Sequence, residues 1–94
     1  MREKWIRLAL RDLDEVEAYI ARDNPAAAAE TVLGIARAVS LLQEQPGLGR
    51  AGRVSGTREL VIPDSPLIVP YRVKDNSVQV LRVYHASRRW PGGF

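Results

Sequence analysis

Residues 67–85 read LIVPYRVKDNSVQVLRVYH, two runs rich in β-branched and aromatic residues on either side of Asp75-Asn76. That pairing of composition and turn residues predicts an antiparallel hairpin, with strands over 67–73 and 78–84. A two-residue loop sets Val73 opposite Val78, Arg72 opposite Gln79, Tyr71 opposite Val80 and Ile68 opposite Val83. One surface then carries Val69, Tyr71, Val73, Val78, Val80 and Arg82. The other carries Ile68, Arg72, Gln79, Leu81, Val83 and His85. A one-residue slip would exchange the two sets. Pro70 has no N–H to give to a ladder, so it belongs at an edge or a bulge.

Upstream, residues 57–62 form a third strand, closed by Pro63-Asp64-Ser65-Pro66. Residues 47–56 hold four glycines (47, 49, 52, 56) with Arg50 and Arg53. Their spacing matches neither a P-loop nor a dinucleotide fingerprint, which leaves a mobile connector. Before it the period is helical. Leu10, Leu13, Val16 and Ile20 recur along residues 9–22, among the carboxylates Asp12, Asp14, Glu15 and Glu17. Asn24 is an N-cap and Pro25 a first helical residue for a second helix, which Pro46-Gly47 ends. Its inward stripe is Ala28, Val32, Ile35, Val39 and Leu42. Trp5-Ile6-Arg7-Leu8 is a short strand or the lead into the first helix.

The expected architecture is therefore α+β: a helical hairpin (8–45), a glycine-rich loop (46–56), a three-stranded meander (57–85) and a tail (86–94), in one domain of 94 residues. Two helices cover one sheet face. The other face is also apolar, so either the loop and tail roof it or a partner lays an apolar segment there. Charge is unevenly spread. Residues 1–49 carry six basic and eight acidic side chains, and residues 50–94 carry eight basic and three acidic ones. Arginine supplies seven of those eight cations, a composition that suits either a solvated face or an anionic partner. There is no cysteine and one histidine, so no disulfide framework and no metal centre is expected. No apolar run of membrane-spanning length occurs, and a cytoplasmic location is expected. Trp5 and Trp90 read as packing anchors rather than base-stacking platforms.

The order GTREL at 56–60, YRV at 71–73, LRVYH at 81–85 and WP at 90–91, behind a helical hairpin, resembles the RelE/ParE superfamily of bacterial toxins. The resemblance spans about Trp5 to Pro91. It implies a β-α-α-β-β-β fold in which an N-terminal strand joins a mainly antiparallel sheet. It also implies a type II toxin–antitoxin pair, with a small acidic antitoxin that wraps the toxin as a hetero-oligomer, and no cofactor.

The superfamily implies two activities. In the branch resembling RelE, a toxin cuts messenger RNA on the ribosome. Arg58, Arg72, Arg82 and His85 are the candidate catalytic residues for that chemistry, with Glu59 or Tyr84 as accessories. Arginines would hold the phosphate and His85 would act as general acid; alternatively, His85 is a strand-end residue bonded to its neighbours. The sequence departs from the cleaving pattern at Ile68, where such members carry an arginine. The branch resembling ParE inhibits DNA gyrase without a catalytic site of its own, and the aliphatic strand before Tyr71 and the short tail favour it. A third possibility is a degenerate toxin that only binds antitoxin. Ile68, Leu81, Val83, Arg88 and Arg89 are the candidate residues for binding antitoxin or target.

Overall fold

The computed structural model describes residues 1–87. It contains β1 (Arg2–Trp5), α1 (Arg7–Ala21), α2 (Pro25–Leu41), β2 (Arg50–Ala51), β3 (Arg58–Val61), β4 (Leu67–Lys74), β5 (Ser77–Val80) and β6 (Tyr84–His85). The sheet order is β1-β5-β4-β3-β2, with β6 also pairing β4. β1 runs parallel to β5 and every other pairing is antiparallel. The N-terminal strand thus lies at 2–5 rather than 5–8, because Ile6 already starts the turn into α1: its carbonyl accepts from Ala9 and Leu10.

The second helix follows its sequence signals closely. Asn24 accepts a hydrogen bond from the Ala27 amide at 3.1 Å and Pro25 opens α2, satisfying a donor that the first turn cannot pair internally. Ala28, Ile35, Val39 and Leu42 are buried from the expected stripe. Full burial of each large one stabilises the fold by roughly 1.5–3 kcal/mol. In α1 the stripe is rotated from its expected position: Ala9 is buried and Leu13 and Val16 pack on the core, whereas Leu10 is 47% exposed. Trp5 packs against the same core.

The hairpin register is as expected at its turn end, with Tyr71 opposite Val80, Arg72 opposite Gln79 and Val73 opposite Val78. Asp75 and Asn76 both have positive φ, 53° and 57°, the conformation that a tight two-residue hairpin turn demands. Beyond Val80 the register shifts. Ile68 faces Tyr84, not Val83. The amides of Leu81 and Arg82 both point to the Pro70 carbonyl, at 2.9 and 3.5 Å. Two residues oppose one, which defines a β-bulge. Pro70 therefore marks a bulge inside a central strand, not an edge. The extra residue turns Val83 toward the helices, where it joins the core with Val69 and Tyr71. His85, opposite Leu67, borders α1 instead of sharing a surface with Arg72.

The expectation of a greasy, uncovered second face is corrected. Ile68, Leu81 and Val83 are 5%, 5% and 2% exposed, so none of the three offers a free surface. Ile68, Leu81 and Tyr84 are buried apart from the helix-side core.

The glycine-rich segment is tied down rather than loose. The Tyr71 hydroxyl donates to the Pro46 carbonyl at 2.7 Å and accepts from the Gly49 amide at 2.8 Å. A Cβ on Gly49 would come within 2.6 Å of the Tyr71 ring and 2.9 Å of the Glu59 carbonyl, so only glycine lets the chain pass this close. Gly52 donates to the Thr57 carbonyl at 2.8 Å and closes the loop.

Candidate functional site

The four cleavage candidates do not form one cluster: Arg82 and His85 both border Asp12, whereas Arg58 and Arg72 lie apart from them. Arg82 is clamped to Asp12 on α1: its Nε donates to Asp12 Oδ2 at 2.7 Å and its Nη2 to Oδ1 at 3.1 Å. Asp12 Oδ2 also accepts from the Val83 amide at 3.0 Å. The carboxylate, 4% exposed, thus joins the bulge to the first helix. The Asp12 hydrogen bond, above all, raises the Arg82 pKa from its ordinary value. The guanidinium also lies 4.7 Å from the centre of the Tyr84 ring, within cation–π range.

Arg58 donates through Nη1 to the carbonyls of Gly49 (2.9 Å) and Gly47 (3.4 Å). It braces the end of the loop opposite Tyr71. Arg72 Nε donates to Gln79 Oε1 at 2.8 Å on the sheet face away from the helices. His85 is exposed; its Nδ1 lies 2.7 Å from Ser87 Oγ and 3.2 Å from the Ser87 amide. It opens into a hollow of about 200 Å³ that it shares with Glu15, Tyr19 and Val83. His85 is paired with Leu67 and Arg58 with Tyr71, four positions apart along β4, or about 13 Å at strand rise. Arg72 is on the other side of the sheet.

Glu59, the possible accessory, is 2% exposed. Its Oε1 accepts from Arg50 Nη2 at 3.1 Å and Nε at 3.3 Å, and its Oε2 from the Arg53 amide at 2.8 Å. It anchors the loop. Arg88 and Arg89, and with them Trp90, lie outside the described residues.

One exposed apolar surface runs along α2. Ala27, Thr31, Gly34, Ala38 and Leu41 succeed one another on α2 at steps of 4, 3, 4 and 3. They face Pro63 across a row of hollows, two of about 340 Å³ and one of about 270 Å³. Leu41, Leu48 and Val61 are half exposed on it, at 53%, 49% and 49%. β2 pairs only with Arg58 and Glu59, so among the described residues Leu60 and Val61 form an open sheet edge beside this groove. Sequence reasoning missed the groove, although the small-residue stripe on α2 was visible as a second helical period beside the buried one. It missed Asp12 too. That residue's place three after Ala9 and four before Val16 puts it on the inward stripe.

Two helices on one face of a mixed sheet define an architecture shared with the RelE/ParE superfamily. The chain belongs to the family described as the ParE toxin of type II toxin–antitoxin system parDE, whose model matches residues 4–90. Y4kP of Sinorhizobium fredii is 50% identical over 90 residues, covering 96% of this chain and 93% of that protein. Toxin RelE2 of Caulobacter vibrioides is 33% identical over 84 residues, covering 89% and 93%. Among solved structures, a chain of the chromosomal ParDE system of P. aeruginosa superposes with a TM-score of 0.81 at 35% identity, covering 90% of this chain and 95% of that one. A chain of the RelBE2 toxin–antitoxin complex of Mycobacterium tuberculosis superposes with a TM-score of 0.54 at 26% identity, covering 89% and 95%.

Proposed function

We propose that this toxin arrests growth by inhibiting DNA gyrase, not by cutting RNA, and that a cognate antitoxin silences it by seating on the groove beside α2. The observation that carries the first part is the engagement of the cleavage candidates. RNA scission needs a proton-transferring group and a phosphate-holding cation on one reacting centre. Here Arg82 is held by Asp12 and Arg58 by loop carbonyls, while His85 and Arg72 occupy opposite sides of the sheet. A binding mechanism needs no such convergence.

The second part rests on the open edge at Leu60 and Val61 and on the apolar hollows next to it. An extended segment adding a strand there would place alternate side chains in those hollows. Arg37 borders them as well, a cation within reach of an acidic residue on such a segment. The matches to a chain of a ParDE system and a chain of a RelBE2 complex support an antitoxin partner.

Purified toxin added to a gyrase supercoiling reaction is expected to stop supercoiling, and prior mixing with antitoxin to restore it. Normal supercoiling, together with cut message in a translating-ribosome reaction, would overturn the proposal.

A further inference from the structure

The sheet face away from the helices carries a regular array of cations at its hairpin end. The register places Arg2, Ser77 and Lys74 in one row across β1, β5 and β4, and Lys4, Gln79 and Arg72 in the next. Alternate residues of the same strands point to the other side: Trp5, Tyr71, Val78 and Val80 enter the core and Glu3 accepts from Gln43. The Cα atoms of these four residues therefore stand at the corners of a rectangle. Its sides are about 6.7 Å along a strand and about 9.6 Å across two strand spacings. Ser77 and Gln79 lie between them. Arg2, Lys4 and Lys74 are exposed and Arg72 is half-buried. Among the described residues no carboxylate pairs with any of the four. Two acidic residues adjoin them in sequence: Asp75, in the turn after Lys74, and Glu3, between Arg2 and Lys4, whose carboxylate accepts from Trp5 and Gln43 instead.

We infer that this face binds the phosphodiester backbone of nucleic acid directly, without gyrase or a ribosome. A protein partner would need an apolar centre to its contact, and this patch has none. Neighbouring cations with interleaved hydroxyl and amide groups are the inventory that contacts phosphate and sugar without reading sequence. The inference does not depend on which target the toxin arrests.

The test is fluorescence anisotropy with the full chain and a labelled 20-base-pair duplex, made once as DNA and once as RNA, between 50 and 200 mM salt. Four phosphate contacts predict a log–log salt slope near −3.6, or about 100-fold weaker binding across that range. Lys4→Gln with Lys74→Gln should halve the slope, leaving about a 10-fold change. Arg11→Gln on α1 with Arg22→Gln just past its end, which removes the same charge elsewhere, should leave it unchanged. Circular dichroism checks that both variants fold. Binding to either duplex with this pattern supports the inference, and the duplex preferred identifies the source of the phosphates. No binding at 50 mM salt would overturn it, as would equal loss in the two variants or displacement by polyglutamate as effective per charge as by DNA.

Discussion

Asp12→Ala is expected to destabilise the folded chain by about 3–5 kcal/mol, the cost of stranding one partner of a buried ion pair. The Asp12 carboxylate holds three donors at once: two from Arg82 and the amide of Val83. The Arg82 side chain is 20% exposed and so only partly able to turn to water. Removing the carboxylate also leaves the buried Val83 amide without its acceptor, in the bulge that directs Val83 into the core. Asp12→Asn keeps an acceptor and should lose less. Urea denaturation with an unchanged m-value reads the difference. A loss below about 1 kcal/mol for the alanine variant would place the pair among surface ion pairs of little worth.

Tyr71→Ala is expected to cost a further large amount, about 3–5 kcal/mol, by the cavity it leaves at the centre of the sheet. Tyr71 is fully buried and its hydroxyl holds the glycine-rich loop at two points. Tyr71→Phe separates the two roles. It preserves the ring and leaves the Gly49 amide and Pro46 carbonyl unpaired, at about 1–3 kcal/mol. Hydrogen exchange at Gly49 should accelerate in the phenylalanine variant, and protection unchanged from the wild type would show that the hydroxyl is not the latch. Burial raises the Tyr71 pKa above its ordinary value of 10.0. A raised value means the neutral phenol is favoured in the fold. Its stabilisation is complete below pH 10 and fades as the pH climbs through the folded value.

Much of this architecture was legible because it rests on local chemistry. The hairpin register followed from Asp75-Asn76 and the alternation around it, and α2 from its cap and a stripe of fixed period. The bulge was legible only in part. Pro70 announced a missing donor, but which partner residue would be extra is decided by pairing across strands, not by composition. That single shift moved Val83 into the core and separated His85 from Arg72. Asp12 read as a solvent-facing carboxylate because its partner lies 70 residues away. Ile68 and Leu81 read as an uncovered face, whereas they are buried and an open apolar surface lies along α2 at Leu41, Leu48 and Val61. The basic half was visible as charge. Its division into cations that brace the loop, such as Arg58, and cations on the sheet face away from the helices, such as Arg72 and Lys74, required the register.

The most direct measurement is growth arrest on induction of a toxin whose clamp has been neutralised in place, Asp12→Asn with Arg82→Gln. The exchange removes both charges while keeping an acceptor for the Val83 amide. If Arg82 serves the fold, the soluble, folded variant arrests growth as the wild type does. If that variant folds and binds antitoxin but no longer slows the cells, Arg82 belongs to the killing chemistry, and a binding toxin is the wrong description.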